Sequence, residues 1–260
     1  MSKVIVVKIG GATLGSHDTT IEDIVELQRQ GKSLVVVHGG GKVITDWLGK
    51  RGIPTRFING ERVTDEATLE VVISVLVGVV NKEIVADINA LGGMAMGISG
   101  ADGALIQGRI KDKELGYVGT VAKVNPAPLQ ALLESGYIPV VAPVSLHAVD
   151  KPEEAPQVLN INADAVAGEI TAAIGAERLI FLTDVAGVCD QSGNLLLRLS
   201  PDEAEALVTS GVASGGMIPK IKACLGALSG TATTCIIDGR QPHALLNEIK
   251  GKGGGTTIQK

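Results

Sequence analysis

The chain has 260 residues, 45% of them hydrophobic and 20% charged, with a formal charge of −5. This composition supports a packed core and excludes a disordered chain or a basic nucleic-acid-binding surface, so a phosphate-bearing ligand must be met by local positive charge. The length accommodates one large domain or two lobes that share a sheet.

The chain opens with alternating elements. "KVIVVKI" and "SLVVVH" are short β-branched runs, and the segments after them, "TTIEDIVELQRQG" and "KVITDWLGKRG", carry helical periodicity. Such alternation is the signature of parallel βαβ units, so the fold class is α/β. In the first helix Thr19 and Glu22 have capping-box spacing, Ile21, Ile24, Val25 and Leu27 form the apolar side, and Gly31 ends it.

A long helix is predicted over residues 65–90. Its centre, "LEVVISVLVGVV", is apolar on nearly every side and must be buried, in the core or against a second subunit. The apolar stretch 71–80, with Ser74 and Gly78 inside it, falls well short of the ~18 residues needed to cross a bilayer, so no membrane segment is expected. Residues 94–124, rich in glycine and short alternating runs, read as hairpins at one edge of the sheet. "APLQALLESG" reads as a helix and "IPVVAPVSL" as a buried strand, and the polar "HAVDKPEEAPQ" reads as an irregular excursion near a lobe boundary.

The second half repeats the alternation. "QVLNINADAVAGEITAAIG" is a strand end turning into a helix stopped by Gly175, and "RLIFLTDVAGV" is a strand. Ser200, Pro201 and Glu203 supply an N-cap, a first-turn proline and a capping glutamate. "GGMIPKIKACLGALSG" is a helix and "TTCIIDG" a strand, while the glycines at 253–255 read only as a turn.

Cys189, Cys224 and Cys235 lie apart without C-x-x-C spacing, which indicates neither a zinc site nor a disulfide framework. The apolar run in "MSKVIVVKIGG" is too short for the core of a signal peptide. Secretion is not expected, and a cytoplasmic location is.

Two nucleotide motifs are excluded: Glu26 stands where a Walker A loop ending at "GKS" needs its first glycine, and no G-x-G-x-x-G opens a helix. Instead two strands end in glycines, "VVKIGG" with Gly10 and Gly11 and "VVVHGGG" with Gly39, Gly40 and Gly41. At the carboxyl edge of a parallel sheet, leading to helix N-termini, two such glycine ends can share one phosphate. Lys8, two residues before the first pair, reads by itself as a strand-end lysine reaching water, and the adjacent glycines favour a ligand role. Lys220 after a Gly-Gly reads alone as a solvated helix lysine. Asn160, Asn162 and Asp164 alternate along "NINAD" and can share one side of a strand end, although capping by Asn162 accounts for one of them. Arg62, after an Asn-Gly turn, is a surface charge or the bidentate partner of a carboxylate.

"KIGGA", "VVVHGGGK", "NGERVT", "VLNINAD", "LTDVAGV" and "GGMIPK" occur in the order seen in the N-acetylglutamate kinases of the amino acid kinase family, and the chain resembles that family from end to end. The resemblance implies an open three-layer αβα sandwich with a mainly parallel central sheet and two lobes. Residues 1–165 would bind N-acetyl-L-glutamate and form a homodimer through the long helix, and residues 166–260 would bind ATP. Lys8 and Lys220 would contact the transferring phosphoryl group, Asp164 would hold both lysines, and Gly11, Gly39 and Gly40 would donate N–H groups to its oxygens. Arg62, Asn160 and Asn162 would hold the acid. Gly10, Thr183, Asp184 and Gly187 would lie at the nucleotide together with Lys8, Gly11 and Lys220. Mg²⁺ would accompany ATP, with no residue assigned to a metal, and neither nucleic acid nor membrane is an expected partner.

Other readings on the same fold are a carrier-protein-linked aminoadipate kinase and a catalytically inert amino-acid sensor. Arginine-inhibited members carry an extra helix before the first strand, whereas this chain enters that strand by Lys3. A dimer without strong arginine feedback is therefore expected, although "DGRQPHALLNEIKGKGGGTTI" resembles the ending of arginine-sensitive members.

Overall fold

The computed structural model describes residues 3–10, 19–149, 151–231 and 233–260, so Gly11, expected at the phosphoryl group, lies outside the described residues. Strand β1 (Val4–Ile9), helix α1 (Thr20–Arg29), strand β2 (Ser33–His38) and helix α2 (Gly41–Lys50) form the opening alternation. A hairpin of β3 (Phe57–Ile58) and β4 (Glu61–Arg62) precedes the long helix. That helix consists of α3 (Glu66–Ile73) and α4 (Asn81–Ala90), joined by a π-helical segment, Ser74–Val80. Next come β5 (Ala95–Gly100), β6 (Ile106–Ile110), β7 (Val118–Val124), α5 (Ala127–Glu134), β8 (Ile138–His147) and β9 (Val158–Ile161). The remainder comprises α6 (Ala163–Ile174), β10 (Arg178–Thr183), β11 (Arg198–Leu199), α7 (Pro201–Thr209), α8 (Met217–Ala227), β12 (Thr233–Asp238), α9 (Ala244–Ile249) and β13 (Thr256–Gln259).

Eleven strands form one sheet in the order β11-β13-β12-β10-β1-β2-β8-β6-β7-β9, with β5 paired to β8. The centre, β12-β10-β1-β2-β8, is parallel throughout. Alternation along the strands supplies two cores. Ile5, Val7 and Ile9 of β1 and Leu34 and Val36 of β2 pack toward α1, the long helix and α9, while Val6, Val35 and Val37 pack toward α5, α6 and α8. The result is helix on sheet on helix, the α/β class that the alternation predicts and the αβα sandwich that the resemblance implies. Among the described residues no helix is long and apolar enough to cross a membrane.

Three local expectations change. The first helix has no side-chain cap: Thr19 is in place with φ −86° and ψ 8°, but its Oγ1 accepts the His243 N–H at 2.6 Å instead of capping its own helix. In the region 94–124 only β6 and β7 form a hairpin. β5 enters parallel to the first half of β8, with Ala95 opposite Ile138, because the long helix acts as a crossover. The glycines at 253–255 are more than a turn, since a Cβ on Gly255 would lie 2.2 Å from the Ile236 carbonyl oxygen. Elsewhere the reading holds. The Ser200 hydroxyl accepts from Glu203 N while the Glu203 carboxylate reaches back to Ser200 N. Ser200→Ala is expected to destabilise the protein by about 1 kcal/mol in urea unfolding with kcat unchanged.

Candidate active site

The carboxyl ends of β1, β2 and β10 lie side by side, with Ile9 opposite both His38 and Leu182. Lys8 has the same parity as Val6, which points it at α6. There its ammonium lies 2.7 Å from Asp164 Oδ1, and both side chains are only 8% exposed. Asp164 Oδ2 faces Lys220 Nζ of α8 at 3.4 Å, and that ammonium also donates to Gly216 O at 3.1 Å. One carboxylate thus holds two cations at the edge where α/β ligands bind, with net positive charge and both oxygens engaged. It is a counter-ion in this geometry, not a free base.

Beside this cluster lies a cavity of about 210 Å³ whose wall includes Gly39, Gly40, Gly41, Arg62, Asn160 and Asn162. The residues expected to hold the acid are therefore brought together. Arg62 is only 8% exposed, and its guanidinium donates to Gly41 O at 3.0 Å and Thr45 Oγ1 at 2.8 Å and sits 4.8 Å from the Phe57 ring centre. Burial lowers its pKa, and among the described residues no carboxylate pairs with it. A nearly buried guanidinium without an anion suits an anionic ligand.

The asparagines and glycines divide their roles more finely than expected. β9 ends at Ile161, so strand alternation does not carry Asp164. Asn162 is the N-cap of α6, its Oδ1 accepting from Asp164 N at 2.8 Å and Ala165 N at 3.4 Å. That cap fixes the first turn that aims Asp164 at Lys8. Asn160 Nδ2 donates to Thr64 Oγ1 at 3.1 Å, and Thr64 donates to Arg62 O at 2.9 Å. The Gly39 N–H, expected at a phosphoryl oxygen, is engaged by Ile9 O at 3.0 Å, and the Gly10 N–H by Leu182 O at 3.1 Å. Both continue the parallel ladder by one step past the strand ends. Gly40 is the N-cap of α2, and the N–H groups of Gly40 and Gly41 have no acceptor among the described residues. Of the two expected amides that are described, that of Gly40 is free and that of Gly39 is not, and Gly41 adds another.

Thr183 ends β10 next to β1, its hydroxyl 3.2 Å from Asp184 Oδ1. Gly187 packs against Thr256 in the following turn, and the neighbouring Ala186 lines a cavity of about 250 Å³ with Asp238, Gln241 and Lys252. A larger cleft of about 800 Å³ separates the β3–β4 hairpin from α6 and α8, with Asn162 and Lys222 on its walls. Sequence reasoning missed His38, Asn81 and Thr64, all buried. Their signal was a polar residue inside an apolar run or, for Thr64, its place in "NGERVT".

This geometry brings two lysines, a guanidinium and glycine amides without acceptors to one edge of the sheet. The amino acid kinase family model matches residues 3–238, and the chain belongs to that family. Acetylglutamate kinase of Dehalococcoides mccartyi (strain CBDB1) is 48% identical over 255 residues, covering 98% of this chain and 94% of that protein. Acetylglutamate kinase of Thermosynechococcus vestitus is 50% identical over 255 residues, covering 95% and 84%. The crystal structure of smu.665 from Streptococcus mutans UA159 superposes with a TM-score of 0.83 at 28% identity, covering 100% of this chain and 99% of that one.

Proposed function

We infer that this chain is an acetylglutamate kinase, which transfers the γ-phosphoryl group of ATP to the γ-carboxylate of N-acetyl-L-glutamate in arginine biosynthesis. The observation that carries this reading is the buried Lys8–Asp164–Lys220 cluster at the carboxyl edge, beside a cavity lined by the anion-free Arg62. End-to-end similarity to relatives of that name supports the choice of acid.

A γ-carboxylate with an ordinary pKa of about 4.3 is already ionised near neutral pH, so the reaction needs no general base. A carboxylate oxygen attacks the γ-phosphorus, the bond to the β,γ-bridging oxygen breaks, and ADP leaves with the electron pair. The difficulty is repulsion between two anions, which positioning and fixed charge relieve. Lys8 and Lys220 meet the phosphoryl oxygens, Asp164 sets the spacing of the two ammoniums, and Gly40 donates its N–H. Arg62 takes the α-carboxylate, with Asn160 and Asn162 beside it. Residues 166–260, with Thr183, Asp184 and Gly187, hold the nucleotide, and residues 1–165 hold the acid. Mg²⁺ accompanies ATP as part of the substrate. The long helix leaves Ile73, Val77 and Gly78 incompletely covered, and a second copy of the chain covers them in a homodimer. The expected location is the cytoplasm.

The test is ATP-dependent acyl-phosphate formation trapped as the hydroxamate, with N-acetyl-L-glutamate compared against glutamate, aspartate and N-acetylaspartate. Product from N-acetyl-L-glutamate alone is expected, and its absence there overturns the reading. In the same assay Arg62→Lys, which cannot form a two-pronged contact, is expected to raise KM for N-acetyl-L-glutamate about 10- to 100-fold, the equivalent of about 1.4–2.7 kcal/mol, with kcat changed only a few-fold. An unchanged KM removes Arg62 from the acid site.

A further inference from the structure

We propose that His38 and Asn81 are positioning residues of the glycine loop: the Asn81 amide holds the His38 ring in one tautomer, and that ring fixes the Gly39 carbonyl so that the Gly40 N–H faces the cleft. The geometry stands by itself, and the consequence for turnover rests on the kinase reading above.

His38 ends β2 with the parity of Leu34 and Val36, so its ring lies on the long-helix face, fully buried. From there it reaches the loop from behind. Its Nδ1 lies 2.8 Å from Gly39 O, and a carbonyl only accepts, so Nδ1 carries the proton. Its Nε2 lies 3.2 Å from Asn81 Nδ2. The Asn81 amide is oriented by other partners, since Nδ2 donates to Val140 O at 2.8 Å and lies 3.4 Å from Ile98 O, while Oδ1 accepts from Lys82 Nζ at 2.9 Å. Nδ2 is therefore the nitrogen that faces the ring, and it can only donate, so Nε2 is unprotonated. Both contacts specify the same neutral tautomer. Burial, with the Lys8 and Lys82 charges acting in the same direction, pushes the imidazole pKa down to about 4, which keeps the ring neutral.

The peptide between Gly39 and Gly40 is trans, as are all those described. In a trans peptide C=O and N–H point in opposite directions, so drawing the Gly39 carbonyl toward His38 turns the Gly40 N–H the other way. That N–H has no acceptor among the described residues and belongs to a residue in the cavity wall. The π segment supports the same loop: a Cβ on Gly40 would lie 2.6 Å from Leu76 Cδ2 and 3.4 Å from Val80 Cγ2. A π segment places an extra residue in the helix, and without that shift Asn81 would be rotated by about 100° away from His38.

The test uses the intact ¹⁵N-labelled chain. Long-range ¹H–¹⁵N correlation of the imidazole rings, with His38 assigned by the signal lost in His38→Asn, is expected to show protonation at Nδ1 near neutral pH. His38→Asn keeps an N–H close to the Nδ1 position, whereas His38→Leu removes it. The asparagine variant is expected to keep kcat within about threefold of the unmutated chain, and the leucine variant and Asn81→Ala to lose about 10- to 100-fold in kcat with little change in either KM. An Nε2-protonated ring overturns the proposal, as does equal kcat in His38→Asn and His38→Leu. If the unmutated chain forms no acyl phosphate, the kinase reading fails and the tautomer alone decides this proposal. The tautomer also decides it if the variants do not fold.

Discussion

Lys8→Ala is expected to lower kcat about 10²- to 10³-fold, equivalent to about 2.7–4 kcal/mol of transition-state stabilisation, with KM for the acid nearly unchanged. The reason lies in the division of the site. Lys8 sits on β1 facing α6 and pairs with Asp164, whereas the cavity containing Arg62 is walled by the glycine loop and β9. Losing the ammonium therefore removes charge from the transferring group and leaves the acid's contacts in place. It also leaves a buried carboxylate with Lys220 alone, at the longer distance of 3.4 Å. Steady-state kinetics in both substrates check this, and near-normal turnover would remove Lys8 from the reaction.

Asp164→Ala is expected to be the most damaging single change, because it acts on stability as well as rate. Two ammoniums, on side chains 8% and 16% exposed, lose their shared counter-ion. Removing one partner of a buried charge cluster typically costs about 3–5 kcal/mol, since the remaining charge is desolvated and uncompensated. Denaturant unfolding should show that loss, and kcat should fall in whatever protein remains folded because the lysines no longer share a fixed spacing. Asp164→Asn separates charge from shape: it preserves volume and the Asn162-capped helix turn but not the ion pairs. A loss below about 1 kcal/mol in both variants would mean that the two lysines are held by other groups.

Much of this was legible in the sequence because local chemistry dictated it. Glycines directly after β-branched runs mark the carboxyl ends of parallel strands, Gly175 stops α6 in the left-handed conformation, and Ser200 with Glu203 caps α7. Lys8, Asp164 and Lys220 could be named from a family likeness, but their contacts join β1, α6 and α8, segments remote in the chain. What escaped was non-local. Thr19 has the right neighbour for a capping box and yet binds His243, because α9 packs on α1 and the His243 ring pairs with the buried Asp23. His38 and Asn81 each look like an isolated polar residue until the sheet and the long helix are stacked. The Gly39 N–H was assigned to a ligand because the number of ladder bonds beyond a strand end depends on a partner strand that periodicity does not reveal.

The strand order also governs how the protein is made. β1 lies between β2 and β10, and its residue Ile5 pairs with both Leu34 and Arg178. A chain emerging from the ribosome can zip β1 to β2 early, but the other edge of β1 stays open for on the order of 10 s of translation until β10 arrives. Through that interval an apolar strand offers unsatisfied backbone groups to any passing strand, the situation in which chains aggregate. Lys8 sits on that strand, and its buried partner Asp164 emerges only shortly before β10. An ammonium on a strand disfavours pairing with other edges, and this one becomes buried only as the sheet closes around it.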